Sequence, residues 1–298
     1  MEYPALKGKT LVVGIGAQKA GTTWLYRYLR AHPQVGMSPI KELHYWDERY
    51  RPDLCGHASE ALRKKLATIS DAGFVEAATE RLGMRDGSDY MRYFSKRIRP
   101  DAVVFGEVTP SYSILPEEGF RALKGLHDRV KLVLMLRDPV SRFWSSVCQK
   151  ARRGPEPAAE TFERALCDPR HVERTRYDVT LERVDRVFGA DDVLVLFYET
   201  LFATRDIRPV TDFIGIGAVP APFEHRVNRK ANPPSFACPR KACARSIHTG
   251  LRLLRAALRC RRSYRLANID DLVLLRRIKP NPSRRRIAGT TVAQSTDR

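Results

Sequence analysis

The sequence predicts an α/β fold in which a parallel β-sheet is flanked by helices. Short apolar segments alternate with amphipathic ones, as expected when parallel strands are joined by helical crossovers. Four apolar segments lack polar alternation and are rich in Val, Leu and Ile, which is typical of strands buried on both faces. These predicted strands are residues 11–15, 103–105, 131–136 and 193–197.

The segments between the strands predict the helices that cover the sheet. Apolar residues recur in them at helical spacing, and the Gly and Pro of residues 153–157 predict a loop. After residue 215 this periodicity fades into a proline-rich stretch. The predicted helices are residues 22–31, 59–69, 73–82, 117–126, 141–152 and 181–188.

Positive charge is concentrated at the C-terminal end of the chain. Of the formal net charge of +19, residues 238–298 carry +13, with 16 Lys and Arg against 3 Asp and Glu. We therefore expect a single catalytic domain over residues 1–237 and a basic C-terminal extension over residues 238–298. In this extension Leu251, Leu254 and Leu258 predict a helix over residues 247–258, followed by a disordered end.

Several function classes find no support in the composition. The six cysteines form no C-x-x-C pair, so free thiols in a reducing compartment are favoured over a zinc site. The N-terminal residues lack the basic-then-apolar order of a signal peptide, and no apolar run approaches the roughly 18 residues that span a bilayer. We expect a cytoplasmic protein, with attachment to a membrane surface through the basic extension as the alternative.

The loop after the first predicted strand has the form of a phosphate-binding loop. Gly16 and Gly21 stand at the two ends of a G-x-x-x-x-G frame that leads directly into a helix, where backbone N–H groups can hold a phosphate. A nucleoside triphosphatase places Lys and then Ser or Thr after this frame, for a polyphosphate and Mg²⁺. Here Thr22 and Thr23 follow, and the lysine lies inside the loop as Lys19. The frame predicts a P-loop-type parallel sheet whose chemistry differs from that of a triphosphatase.

The segment K-A-G-T-T-W resembles the 5′-phosphosulfate loop of sulfotransferases that use 3′-phosphoadenylyl sulfate (PAPS) as donor. The resemblance implies that Lys19 contacts the 5′-phosphate and the transferring sulfuryl group, and that Trp24 stacks on adenine. It further assigns to the nucleotide the four residues Ala20, Gly21, Thr22 and Thr23.

A second segment is similar to the 3′-phosphate site of the same family. In residues 131–146 an apolar strand is followed by R-D-P and a helix, which places Arg137 at the strand end and Ser145 eight residues later. A guanidinium suits a dianionic phosphate, and a helix-borne hydroxyl adds a donor. Later in the chain the resemblance also assigns Tyr198 and Arg229 to the nucleotide.

A third segment, K-E-L-H-Y-W-D, resembles the catalytic segment of glycan-modifying members such as heparan sulfate sulfotransferases. The resemblance implies that Glu42 takes the acceptor proton. His44 is the competing base, because its ordinary pKa suits neutral pH better. A purely structural interpretation also exists, in which Glu42 pairs with Lys41 and Tyr45 and Trp46 are core residues. A fourth segment, G-E-V-T-P-S-Y, departs from the family pattern, with Val108 where a lysine is usual.

Together these segments predict an in-line transfer of a sulfuryl group from PAPS to a hydroxyl or amine acceptor, with a carbohydrate favoured. No metal is expected to be required, because a sulfuryl group carries less charge than a terminal phosphoryl group. The first alternative is a P-loop nucleotide kinase or NTPase with a variant loop, and it would need an aspartate that holds Mg²⁺. The second is a nucleic-acid-binding protein, suggested by the sequence pI of about 10.0. The excess charge lies outside every matched segment, which disfavours nucleic acid as the main partner.

Overall fold

The computed structural model describes residues 3–152, 154, 158–224 and 265–266, and its centre is a parallel six-stranded sheet. The strand order is β2-β3-β1-β4-β5-β6. The strands are β1 (Thr10–Gly16), β2 (Val35–Met37), β3 (Val104–Val108), β4 (Val130–Leu136), β5 (Val193–Phe197) and β6 (Arg265–Leu266). The predicted α/β fold with a parallel sheet is confirmed.

The central strand β1 lies between β3 and β4, and six of its seven residues are buried. Its apolar run has no polar face because helices cover the sheet on both sides. Gly14 faces Val108 in the β1–β3 register, and a Cβ at Gly14 would lie 2.8 Å from a methyl group of Val108. The two strands therefore fit closely where Val108 replaces the lysine usual in the family.

Helices precede, connect and follow the strands. Helix α1 has the bounds that the sequence predicts, and α8 begins two residues early because Pro139 occupies its first position and Asp138 caps it through Ser141 N. The helices are α1 (Thr22–Ala31), α2 (Tyr45–Tyr50), α3 (Pro52–Cys55), α4 (Ala58–Leu66), α5 (Ala72–Leu82), α6 (Gly87–Ser95), α7 (Glu117–Lys124), α8 (Pro139–Ala151), α9 (Ala158–Cys167), α10 (Pro169–Val172), α11 (Tyr177–Asp185), α12 (Tyr198–Thr204) and α13 (Arg208–Ile214). Within the described residues, no helix has both the length and the apolar character needed to cross a membrane.

Two residues of the predicted basic extension belong to the sheet. Arg265 and Leu266 form β6 and pair in parallel with Leu194 and Val195 of β5. The predicted helix over residues 247–258, the disordered end and the boundary at residue 238 all lie outside the described residues. The division into a catalytic domain and an extension therefore stays a prediction.

The sheet topology defines where a ligand-binding crevice is expected. The chain passes from β1 to strands on one side, and later crosses to β4 on the other side. In open parallel sheets, ligands bind outside the carboxyl ends of the strands at such a reversal. The loop from Gly16 to Gly21 follows β1, and Arg137 follows β4, so both predicted phosphate segments lie at this edge.

Candidate active site

The loop between β1 and α1 depends on the glycines at its ends. Gly21 has a φ of +88°, and a Cβ there would lie 3.0 Å from the ring of Tyr198 and 3.2 Å from Met135 and Phe202. At Gly16 the φ is +156°, and a Cβ would lie 2.9 Å from Cβ of Ser113. Both positions combine a backbone conformation that disfavours side chains with close neighbours. The loop is thus held tightly at both ends.

Lys19 lies inside this loop in the left-handed region, with a φ of +71°. Its Nζ donates to Oε1 of Gln149 on α8, over 3.1 Å. Its carbonyl oxygen accepts a hydrogen bond of 3.0 Å from Arg137. The two predicted phosphate-binding cations, separated by more than 100 residues in the chain, are therefore adjacent.

Arg137 is held by aromatic and backbone contacts, and no carboxylate is among these contacts. Its guanidinium carbon lies 4.8 Å from the ring centroid of Tyr198, and its carbonyl accepts from the hydroxyl of Tyr177. Its Nε is buried and has no hydrogen-bond partner among the described residues. A buried donor without a partner is costly unless a ligand supplies the acceptor. The site therefore fits an anionic group such as the 3′-phosphate of a nucleotide.

Helix α8 contributes a polar face to the same region. Ser141, Ser145 and Gln149 recur every four residues and therefore share one face of the helix. Gln149 reaches Lys19 from this face, so the predicted residue Ser145 lies one turn before a residue that contacts the loop. Gln149 was not among the predicted site residues, although its spacing of four residues from Ser145 would have identified it.

The ring of Trp24 is already buried against other residues, which differs from the adenine-stacking role that the resemblance implies. Only 3% of Trp24 is exposed, its ring stacks on Phe223 with centroids 4.6 Å apart, and its Nε1 donates to the carbonyl of Pro222. Adenine stacking on the same face would require Phe223 to move. Phe223 and Pro222 were not among the predicted site residues, and Arg229 lies outside the described residues.

The second part of the site is a chain of three ionisable residues after β2. Nε2 of His44 lies 3.1 Å from Oε2 of Glu42, and Nδ1 of His44 lies 2.7 Å from Oδ2 of Asp47. The other Glu42 oxygen, Oε1, accepts from Lys41 Nζ over 2.7 Å. The pairing of Glu42 with Lys41, and the burial of Tyr45 in the core, show that the structural interpretation of this segment also holds.

These contacts fix the charge states of the three residues. Burial raises the pKa of Glu42, but the hydrogen bond from His44 and the charge of Lys41 outweigh it and hold that pKa at about 2. Burial lowers the pKa of His44, but the hydrogen bonds to Asp47 and Glu42 outweigh it and raise that pKa to about 10. At neutral pH, His44 is therefore an imidazolium between two carboxylates.

A buried carboxylate positions the backbone of this segment. Glu107 on β3 is fully buried and accepts hydrogen bonds from the hydroxyls of Tyr90, Tyr112 and Thr109. It also accepts from the backbone N–H of Leu43, over 3.3 Å. Burial raises the pKa of Glu107, and the three hydroxyl donors oppose that rise. The sequence of this segment shows the missing lysine, whereas its structural role depends on tertiary contacts.

The turn after β3 brings the two parts of the site together. Ser111 donates to Asp47 and lies 3.2 Å from Nδ1 of His44. Within the same turn (Pro110–Ile114), the carbonyl of Pro110 would lie 3.0 Å from a Cβ at Gly16. One turn thus contacts both the phosphate-type loop and the predicted catalytic segment.

The predicted site residues accordingly fall into two neighbouring groups. The first follows β1, β4 and β5 and consists of Lys19, Ala20, Gly21, Thr22, Thr23, Arg137, Ser145 and Tyr198. The second follows β2 and consists of Glu42 and His44. Val108 is buried against Gly14, so it supplies an apolar contact where the family pattern has a charge.

Comparison with known proteins identifies the family. The model described as "Sulfotransferase family" matches residues 12–218, which contain both phosphate-type segments and the Glu42 segment. The chain therefore belongs to the sulfotransferase family, and the predicted family is confirmed.

Relatives and a solved structure agree with this assignment. The chain is 27% identical over 165 residues to the membrane-associated sulfotransferase kil1 of Dictyostelium discoideum, covering 54% of this chain and 28% of the relative. It is 28% identical over 149 residues to human carbohydrate sulfotransferase 15, covering 44% and 25%. The alignments thus cover about a quarter of the length of these curated relatives. A sulfotransferase structure from Alicyclobacillus acidocaldarius has the same fold, with a TM-score of 0.60, 21% identity, and coverage of 83% of this chain and 95% of that one.

Proposed function

We propose that this protein transfers a sulfuryl group from PAPS to a hydroxyl or amine acceptor, with a carbohydrate hydroxyl favoured. The observation that carries the proposal is the contact between Lys19 and Arg137, each on its own phosphate-type segment. A human relative is named as a carbohydrate sulfotransferase, which supports that acceptor class.

The chain's own residues account for donor binding. Arg137 would offer its unsatisfied Nε to the 3′-phosphate, and the N–H groups of the first turn of α1 would be donors to the 5′-phosphate. PAPS supplies the sulfuryl group and a phosphate leaving group. Lys19 neutralises the charge that grows on that leaving oxygen, in a fixed position that needs no reorganisation.

The contacts of the Glu42 segment distinguish the two candidate bases. His44 has both ring nitrogens directed at carboxylates, so it holds a proton at each and cannot accept another. Glu42 is ionised at neutral pH and is the residue that can accept the acceptor proton. His44 then acts as a positioning residue that orients Glu42 and is itself oriented by Asp47.

A nucleotide kinase is the alternative that the test must exclude. We expect adenosine 3′,5′-bisphosphate (PAP), the desulfated donor, to raise the melting temperature far more than ATP with Mg²⁺. A ligand that binds only the folded state at 100 times its Kd stabilises it by about 2.7 kcal/mol.

Arg137→Ala should weaken PAP binding by about 2–3 kcal/mol, the range for hydrogen bonds to a charged group. Arg92→Ala on α6, which removes an equal charge from the surface, is the matched control. Equal or greater stabilisation by ATP with Mg²⁺ would overturn the sulfotransferase proposal in favour of the kinase.

A further inference from the structure

A groove of about 670 Å³ runs along the outer face of α1, beside the site. This volume suits a ligand of the size of one or two sugar rings. Four of the nine lining residues are basic and none is acidic. The lining residues are Thr23, Tyr26, Arg27, Arg30, Ala31, Pro39, Lys41, Lys65 and Phe74.

Two of the four cations of this groove, Arg30 and Lys65, are held by neutral groups. Arg30 donates to the hydroxyl of Tyr26 and to the carbonyl of Pro39, over 3.3 and 3.5 Å. The ammonium of Lys65 lies 4.4 Å from the ring centroid of Phe74. In the described part of the chain, no carboxylate forms an ion pair with Arg27, Arg30 or Lys65. Among the described residues, three of the four cations of the groove therefore have no ion-pair partner, and the fourth, Lys41, pairs with Glu42.

The groove lies beside the proposed reaction centre. Thr23 is the second residue of α1, directly after the phosphate-type loop, and Lys41 lies next to Glu42 in the chain and within 2.7 Å of its Oε1. A ligand that fills the groove is thus adjacent to both the sulfuryl-transfer loop and the proposed base.

We propose that this groove binds an anionic group of the acceptor, so that the preferred acceptors carry a carboxylate, sulfate or phosphate close to the hydroxyl that is modified. This inference rests on the proposed function and specifies its substrate class. Cations without an ion-pair partner that are gathered in one open groove favour an anionic ligand more strongly than the same charges spread over a surface. The aromatic rings of Tyr26 and Phe74 add an apolar wall for the body of the ligand.

Binding of an anion here also affects Glu42. Lys41 is shared between the groove and Oε1 of Glu42, and its side chain is only 14% exposed. An anionic group that pairs with Lys41 draws the ammonium away from Oε1, which leaves that oxygen free to accept the acceptor proton. The proposal therefore predicts a higher kcat on anionic acceptors as well as tighter binding.

Calorimetry with small matched sugars tests the proposal on the full chain saturated with PAP. The probes are methyl β-D-glucuronide and the 6-sulfate and 6-phosphate of methyl β-D-glucoside, compared with uncharged methyl β-D-glucoside at one ionic strength. We expect at least one anionic probe to bind about 10-fold or more tightly than the neutral one. The three probes show which anion the groove selects.

The double variant Arg27→Ala/Lys65→Ala should abolish this preference without changing the Kd for PAP. Arg63→Ala/Lys64→Ala removes the same charge from neighbouring positions of α4, where Lys64 pairs with Glu60, and should keep the preference. Equal affinity for charged and neutral probes, or undetectable binding of all four, overturns the inference. The inference is also overturned if both double variants lose the preference for anionic probes equally, or if Arg27→Ala/Lys65→Ala no longer binds PAP. Failure of the wild-type protein to bind PAP overturns the proposed function instead.

Discussion

Glu42 is the residue on which the proposed mechanism depends, and both of its carboxylate oxygens are engaged by cations. Such a carboxylate is a weak base until one cation is displaced, because the same contacts that ionise it also stabilise its charge. The ion pairs keep the group ionised and oriented, and in the proposed mechanism the acceptor displaces Lys41 from Glu42 and so makes the carboxylate reactive. We therefore expect the acceptor to enter from the groove side.

Substitution of Glu42 separates binding from chemistry. Glu42→Gln keeps the shape of the side chain but cannot accept a proton, so we expect turnover to fall by roughly 10²–10⁴-fold. The Kd for PAP should stay unchanged, because Glu42 lies outside the nucleotide group. Steady-state rates with labelled PAPS, together with calorimetry with PAP, measure the two effects.

The same experiment with His44 distinguishes the two roles. His44→Gln should lower kcat less than Glu42→Gln does, since it removes an orienting contact and leaves the proton acceptor in place. For the wild type, kcat should show no rise through pH 6.5, because the His44 pKa is raised to about 10. A rise there, with Glu42→Gln still active, would make neutral His44 the base.

At the scale of single elements, the junction between the loop and α1 determines whether the phosphate site forms. Gly21 precedes the first turn of α1, and its left-handed conformation turns the chain from the loop into the helix. The close approach of Tyr198 brings α12 to the same point. The residue therefore couples the conformation of the loop to the position of an aromatic ring that contacts Arg137.

Gly21→Ala should damage this junction. We expect the free energy of unfolding to fall by about 1–3 kcal/mol, from the positive φ and the close ring contacts. The Kd for PAP should also rise, by more than the lower stability of the folded protein explains. Denaturant unfolding and calorimetry measure the two effects, and Gly215→Ala is the control, since Gly215 also has a positive φ but no atoms near its Cβ position. Identical PAP affinity in Gly21→Ala and the wild type would contradict this role.

The elements that sequence reasoning predicted well are those with a long apolar signal. Strands β1, β4 and β5 are within two residues of their predicted bounds because each is buried on both faces and has no alternation. Strand β2 was missed because its three residues, which include a glycine, carry no pattern at all. Helix α6 was missed although Asp86 caps it through the N–H groups of Ser88 and Asp89. The start of α6 is therefore marked by a side-chain hydrogen bond, which the spacing of apolar residues does not indicate.

The site was predictable in composition but not in contacts. Both phosphate segments could be read from the sequence, the first from the order of its glycines, lysine and threonines, and the second from the arginine that directly follows an apolar strand. The ion-pair chain through His44 could not be read from the sequence. It requires the backbone of His44 to adopt the left-handed region, at a φ of +54°, so that its imidazole lies between two carboxylates. Backbone reversals of this kind follow from the tertiary packing around Glu107 rather than from local sequence.

On the scale of the whole molecule, the basic extension remains a prediction apart from β6. A chain truncated after Pro239 loses Arg265 and Leu266, which form a two-residue edge strand. Such a short edge contributes few hydrogen bonds, so we expect the truncated protein to keep PAP binding and transfer to small acceptors. It should lose salt-sensitive binding to anionic vesicles, where each well-placed Lys or Arg contributes roughly 1 kcal/mol.

Vesicle sedimentation at low and high salt, with PAP calorimetry on the same samples, provides the measurement. Replacing the three arginines at residues 284–286 by serine in the full-length chain is a milder control, which should weaken vesicle binding only in part. Loss of PAP binding on truncation would show that the extension is part of the catalytic fold. Absence of vesicle binding by the full-length protein at low salt would rule out the surface-attachment role.

The order of the strands in the sheet gives this enzyme a natural division for protein engineering. Beyond α1, the groove is lined by residues from one continuous stretch, between Pro39 and Phe74, whereas Arg137, Gln149 and Tyr198 all follow that stretch in the chain. A library confined to that stretch, with Glu42 and His44 kept, would vary the residues proposed to contact the acceptor and leave the proposed donor site unchanged. Gene-fragment exchange between relatives at these boundaries is thus a direct route to new sulfated products.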